Sequence, residues 1–153
     1  MNSVASEDAL AQAEAFDSAV VLCRCILRGV FRQAAEWVEG RLAVACARRQ
    51  GRVLTLDKWV PWQEHVLARA DQAELLFVVY PSLRGGWSAQ QIPVEPHGTE
   101  GRKPFPETWA GLAGAELQAA SGVPDAIFCH NSRYMAAAES MAGAVLLAAK
   151  AAG

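Results

Sequence analysis

"LLFVVY", Leu75–Tyr80, is a run of six apolar or aromatic residues with no charge in it. A strand with one wet face alternates polar and apolar residues, whereas an unbroken apolar run fits a strand covered on both faces. The run is also too short for a buried helix, and Val78 and Val79 favour the pleat. "PSLRGG" follows with turn chemistry. "WSAQQIPV", Trp87–Val94, then reads as the hairpin partner. Pro93 has no N–H to give a ladder, so it marks an edge or the end of that strand. A strand buried twice requires layers on both sides of the sheet, and the flanking sequence supplies them.

Upstream, residues 7–50 read as a helical segment. Ser6 is placed to cap it, and Glu7 and Asp8 suit the positive end of the helix dipole. Phe16, Val20, Cys23, Leu27, Val30, Ala34, Trp37 and Val38 recur at steps of three and four, which makes one apolar stripe. Gly29 and Gly40 each weaken a helix by about 1 kcal/mol relative to Ala. The reading is therefore a bend, or two helices, with a stop near Gly51. Arg52–Leu56 is a short strand, and Pro61 opens a helix of two to three turns. Glu95–Ala110 has no periodicity and reads as a Pro-rich connection. "GAELQAAS" is a short helix that Gly122 caps, "AIFCH" (Ala126–His130) is another buried strand, and Ala136–Ala152 is an Ala-rich helix. The fold class expected is α+β: one domain over 1–153, with the long helical segment followed by a small mixed sheet of about four strands and its helices over 52–150.

Composition narrows the function. The chain has 153 residues, 52% hydrophobic and 20% charged, with a net charge of −2. There is no overall basic excess, so nucleic-acid binding would rest on a local patch. Cys23 and Cys25 would point about 200° apart on a helix, so they do not chelate one ion together. The four cysteines are expected to be buried free thiols in a reducing compartment. No signal peptide and no membrane-length apolar run is recognised, so a cytoplasmic location with no membrane partner is expected. Neither common phosphate loop and no nucleophile elbow is present. His65, His97 and His130 lack metal-ligand spacing, and the carboxylates do not cluster as a two-metal centre needs. No catalytic or metal-ligating residue is assigned.

Four groups of residues carry candidate binding chemistry. Arg24, Arg28 and Arg32 form a basic stripe, or a solvated face with Arg32 paired to Glu36. "VPWQEHV" places Trp62, Glu64 and His65 on one short helix, as a donor set or as core and surface. "FCHNSRY" puts His130, Asn131, Ser132 and Arg133 directly after a strand. All four can contact a phosphate or a base edge, and a helix-starting turn is the other reading. "GRKPFPETW" presents Arg102 and Lys103 on a loop stiffened by two prolines, which Phe105 and Trp109 can anchor.

The stretches "LDKWVPWQEHV", "IPVEPHGTEGRKPFPETWAGLAGAELQAASGVPDAIFCH" and the closing helix resemble the C-terminal half of the melanocyte-proliferating-gene family. That family typically reads C-P-W-K-E-H-L at Val60–Val66, R-K-P-L-P-E-P-W-R-G-L at Arg102–Leu112, and S-G-I-P-x-x-x-F-x-H at Ser121–His130. It is related to the DHH phosphoesterases and described as metal-dependent hydrolases, with 3′-to-5′ RNA exonuclease activity in eukaryotic members. Its members are about twice as long, with the metal-binding motifs in an N-terminal half that has no counterpart here. The resemblance implies a substrate-side domain like the C-terminal domain associated with DHH proteins, which closes a cleft over a metal centre. It holds no cofactor of its own, and Mn or Mg would belong to a partner metal-bearing domain, separately encoded. Arg102, Lys103, His130 and Ser132 would then face the phosphate or ribose of a nucleotide or RNA. Where the family has a Gly-Gly pair this chain has Ala136 and Ala137, which puts that ligand contact in question. The alternatives are a non-catalytic interaction or structural protein, and a small metal-dependent phosphodiesterase that completes its site in a homo-oligomer.

Overall fold

The computed structural model describes residues 3–96, 98 and 100–153, without the side chains of 3–7. The chain divides into two compact units, Met1–Val38 and Glu39–Gly153. The first unit is helix throughout its described length, and it belongs to α1, Ser3–Cys46. This corrects the expected bend or pair of helices: α1 runs uninterrupted for 44 residues through Gly29 and Gly40 and stops before Gly51. It also begins ahead of Ser6, which therefore lies inside the helix; the side chains of Ser6 and Glu7 are outside the described residues. The stripe is strongly exposed, with Phe16 at 68%, Leu27 and Val30 at 53% and Trp37 at 46%. Arg32 lies 4.0 Å from Glu36 on the same unit.

The second unit is a six-stranded mixed sheet with helices on both faces. The strands are β1 (Arg48–Gln50), β2 (Val53–Thr55), β3 (Phe77–Pro81), β4 (Trp87–Gln91), β5 (Ala126–Cys129) and β6 (Met135–Ala138), in the order β1-β2-β3-β4-β6-β5. Only β2 and β3 run parallel. The helices are α2 (Gln63–Leu67), α3 (Gly114–Ser121) and α4 (Met141–Ala152). The α+β class holds, but the sheet has six strands instead of about four. The residues of β1 lie at the end of the expected helical segment, and those of β6 lie at the expected start of the last helix. β5, expected to be a buried strand over Ala126–His130, is an edge strand with Ala126 and Cys129 buried and Ile127 exposed.

Side chains of β3 alternate between two cores, as strand geometry requires. Phe77 and Val79 join Phe105, Trp109, Leu117 and Leu147 on one face. Val78 and Tyr80 join Val44, Trp62 and Val66 on the other. Phe77, Val78 and Val79 are fully buried, each burial stabilising by about 1.5–3 kcal/mol. The Ala run in β6 departs from its helix propensity because tertiary packing overrides it. Ala136 and Ala138 are fully buried in the core on the α3–α4 side. Of the cysteines, only Cys129 is buried. Cys23, Cys25 and Cys46 are exposed on α1, which corrects the expectation of four buried thiols.

Two close approaches lock helices to this core. Gly40 is buried in α1, and a Cβ there would overlap the Pro61 carbonyl and press on the His65 ring. At the start of α4, Ser140 is the N-cap, and its hydroxyl accepts from the Gly143 N–H at 3.0 Å. Asp125 accepts from the Ser140 N–H at 2.9 Å and from its hydroxyl. The Ser140 side-chain hydrogen bond holds the Asp125 carboxyl below its usual range.

Gly40→Ala is expected to destabilise by about 1–3 kcal/mol in urea unfolding, because overpacking outweighs the helix propensity gained. For Asp125, a lowered folded-state pKa means its stabilisation is complete above the ordinary carboxylate pKa and is lost as pH falls below that toward the folded-state pKa. The stability gap between the wild type and Asp125→Asn should therefore narrow on acidification below about pH 4. A gap that stays constant from neutral to acid pH rules out this tie.

Candidate functional site

"FCHNSRY" is the tip of a β-hairpin, not the start of a helix. The His130 N–H donates to the Met135 carbonyl at 2.9 Å, and the Arg133 N–H donates to the His130 carbonyl at 2.8 Å. Arg133 closes the turn with φ at 55°, the one non-glycine residue with positive φ among those described. A left-handed conformation outside glycine costs on the order of 1 kcal/mol or more. The Ser132 N–H donates to Nδ1 of His130 at 3.1 Å. With Nδ1 accepting, the ring proton sits on Nε2. The His130 and Tyr134 rings lie 4.5 Å apart at 56°.

The Pro-rich connection braces this hairpin. The Phe105 N–H donates to the Arg133 carbonyl at 2.9 Å, and Arg133 Nη1 reaches back to the Phe105 carbonyl at 3.5 Å. Phe105 is fully buried, its ring 4.8 Å from Phe77 and 6.2 Å from Trp109. The expected aromatic anchors are thus in place. Gly111 has φ at 74°, and a Cβ on it would strike the Asn131 side-chain oxygen, so the turn and the connection meet there as well.

The two cations of the connection point to backbone. Arg102 Nη1 donates to the carbonyls of Gln72, Ala73 and Leu75 at 2.9–3.1 Å, and burial lowers its pKa. Lys103 Nζ donates to the Ala152 carbonyl at 2.8 Å, where the negative end of α4 favours a cation. Trp62 is a core residue, its ring 6.5 Å from that of Tyr80. Glu64 is exposed on the first turn of α2, and His65 is buried beside Gly40. Of the candidates, the structure gathers His130, Asn131, Ser132 and Arg133 on one turn.

Beside that turn is a cavity of about 350 Å³. Its lining comes from α2 (Gln63), the end of β4 (Gln90, Gln91), the connection after it (Pro93, Gly98) and the hairpin (Ser132, Tyr134). The Tyr80 hydroxyl donates to Gln90 Oε1 at 2.5 Å. Burial, with Tyr134 nearby, pushes the Tyr80 pKa up to about 12, so that hydroxyl keeps its proton. Gln91 is 9% exposed, and its Oε1 has no hydrogen-bond partner among the described residues. Its amide is pressed on Gly101, where no Cβ could fit. The glutamines and Tyr134 were not among the sequence candidates, since an isolated amide in a strand carries no spacing signal. Only "QQ" at the end of the β4 run was visible.

Catalytic equipment is a separate matter. Burial raises the Cys129 pKa to about 11, so it is a neutral thiol and a poor nucleophile. Among the described residues no three His, Cys, Asp or Glu side chains gather as a metal-binding group. His97 lies outside the described residues. Ala136 and Ala137, in place of the Gly-Gly pair, sit in β6 opposite Ala89 and Ser88 and do not have positive φ. No helix among the described residues is long and apolar enough to cross a membrane.

Comparison with known proteins agrees with the motifs. A family profile described as "MYG1_exonuc: Uncharacterised protein family (UPF0160)" matches residues 1–152. The "MYG1 exonuclease" of Homo sapiens is 33% identical over 124 residues, covering 73% of this chain and 33% of that protein. The "MYG1 protein" of Dictyostelium discoideum is 28% identical over 104 residues, covering 65% and 32%. The corresponding protein of Chlamydia pneumoniae is 33% identical over 112 residues, covering 72% and 34%. The chain spans about a third of the length of the curated relatives it matches. No solved structure matches it. From the profile match over nearly the whole chain and the shared motifs, the chain belongs to the MYG1 exonuclease family.

Proposed function

We propose that the Glu39–Gly153 unit is the substrate-side part of a nucleic-acid hydrolase, and that it holds a nucleotide phosphate on the β5–β6 hairpin while the cutting metal centre is supplied from outside these residues. The exonuclease name of the human relative supports the reaction class. The observation that carries the reading is Arg133, half-buried at φ 55° between Ser132 and Tyr134, the two hairpin residues that line the cavity. A turn position of this kind favours glycine. An arginine kept there at a conformational cost is accounted for by the use of its side chain. Ser132 and the Nε2–H of His130 add donors to the same turn. Arg102 and Lys103 act in this reading as braces, because their nitrogens serve backbone carbonyls at 2.8–3.1 Å, whereas Arg133 Nη1 makes a longer contact of 3.5 Å to the Phe105 carbonyl. Mn or Mg enters with the metal-bearing part and not with this unit.

Arg133→Gly separates fold from function. Stability should stay level or rise by up to about 1 kcal/mol, since glycine accepts this φ without strain. Binding of a short single-stranded RNA, followed by tryptophan fluorescence, should weaken, and the slope of log affinity against log salt should fall by about 1. An unchanged salt slope removes Arg133 from the phosphate site.

The exposed stripe of α1 favours a second reading, interaction through that helix. Phe16, Val20, Cys23, Leu27, Val30, Ala34 and Trp37 keep alternating steps of four and three, the spacing of a coiled-coil seam. Laid antiparallel on a second copy, Phe16 meets Ala34, Trp37 meets Ala13, and Val20 meets Val30. Large side chains then face small ones, as dense packing needs. The chain is expected to sediment as a dimer, and Leu27→Lys as a monomer. A monomeric wild type overturns this pairing.

A further inference from the structure

We infer that the cavity beside the hairpin is a base-tolerant nucleoside pocket, in which the base lies against Tyr134 and takes one hydrogen bond from Gln90. The phosphate reading above places the charge of such a ligand on Arg133; the pocket itself rests on the cavity alone.

The packing beneath the sheet decides which side chains meet there. Gln90 follows Ala89, which belongs to the core that α3 and α4 cover, so Gln90 points to the opposite face. Its amide meets the hydroxyl of Tyr80 on that face, and Tyr80 belongs to the core beneath α2. Gln63, on the first turn of α2, lines the cavity from the same side. Tyr134 reaches this face too: after burial, it is the neighbour that raises the pKa of Tyr80, and its ring is 4.5 Å from that of His130. Tyr134 is half-buried, and among the described residues of the lining it is the one aromatic side chain.

Two features set the ligand class. The first is the aromatic wall. At about 350 Å³ the space lies at the lower end of small-molecule sites, with room for one base and part of its ribose. Every base has a π face, so stacking on a tyrosine tolerates all of them. The second is the amide of Gln90. The Tyr80 hydroxyl donates to its Oε1, so the amide cannot turn over without losing that bond, and Nε2 is held as the donor. Each base offers an acceptor, a ring nitrogen or a carbonyl oxygen, on one edge or another, whereas telling bases apart takes a donor and an acceptor fixed side by side. The hydroxyls of Ser132 and Tyr134 and the amide of Gln63 can each present either kind of group, so they add no fixed pattern. Stacking with one fixed donor therefore binds a base without choosing among bases. Ser132 and Tyr134 flank Arg133 in the chain, which brings the base pocket and the phosphate turn side by side.

The test is calorimetric titration of the protein with adenosine, uridine and ribose, none of which carries phosphate. Each nucleoside should bind at least about tenfold more tightly than ribose, and the two should lie within about tenfold of each other. Tyr134→Leu should bring both nucleosides down to the level of ribose, and Tyr134→Phe should keep their advantage. Should Tyr134→Leu fail to fold, the wild-type titrations decide alone. A smaller advantage over ribose, no binding of either nucleoside, a wider gap between the two, or an undiminished advantage in Tyr134→Leu overturns the pocket. RNA binding that still depends on Arg133 in that case leaves the phosphate reading standing. Nucleoside binding without an Arg133-dependent salt slope leaves the pocket standing, so the two ideas fail separately.

Discussion

The second unit depends on β3 being dry on both sides. Phe77 and Val79 close one core while Val78 and Tyr80 close the other. A strand in that position demands a layer above and a layer below, because neither face tolerates water. α3 and α4 form one layer with the Phe105–Trp109 segment. The end of α1, Trp62 and α2 form the other. Every feature near the candidate site is hung from these two layers.

The Pro-rich connection shows how a core contact reaches the surface. Phe105 is sealed against Phe77, and its backbone N–H holds the Arg133 carbonyl. The hairpin tip is thereby tied to the central strand through one aromatic residue. Arg102 and Lys103, the two cations of the connection, fasten its ends to the 72–75 carbonyls and to the last turn of α4. Tyr80 plays a matching part from the other core: its ring is buried, and its hydroxyl sets the amide of Gln90 at the cavity. The site is thus built from groups whose positions are determined by the packing beneath them.

Much of the fold was legible. LLFVVY, its hairpin partner, and the helix capped by Gly122 follow from local pattern and turn chemistry, and they appear as β3, β4 and α3. β6 was not legible, because "MAAA" has helix propensity and becomes a strand through its pairing with β4 on one side and β5 on the other. β1 is three polar residues whose strand state comes from pairing with β2. The site was half legible. His130–Arg133 stand out as a cluster of donors after a strand, yet Gln90, Gln91 and Tyr134 have no local mark.

Sequence alone determined the family, the α+β class and the aromatic anchors, because each rests on residues close together in the chain or on long motifs. Tertiary structure decided where the charges go. Arg102 and Lys103 read in sequence as two loop cations, and in the fold carbonyls 27 and 49 residues away accept from their nitrogens. It also decided that the two glutamines meet Ser132 and Tyr134 at one cavity. Hydrogen bonds and cavities of this kind join segments distant in sequence, and no periodicity along the chain encodes such a meeting.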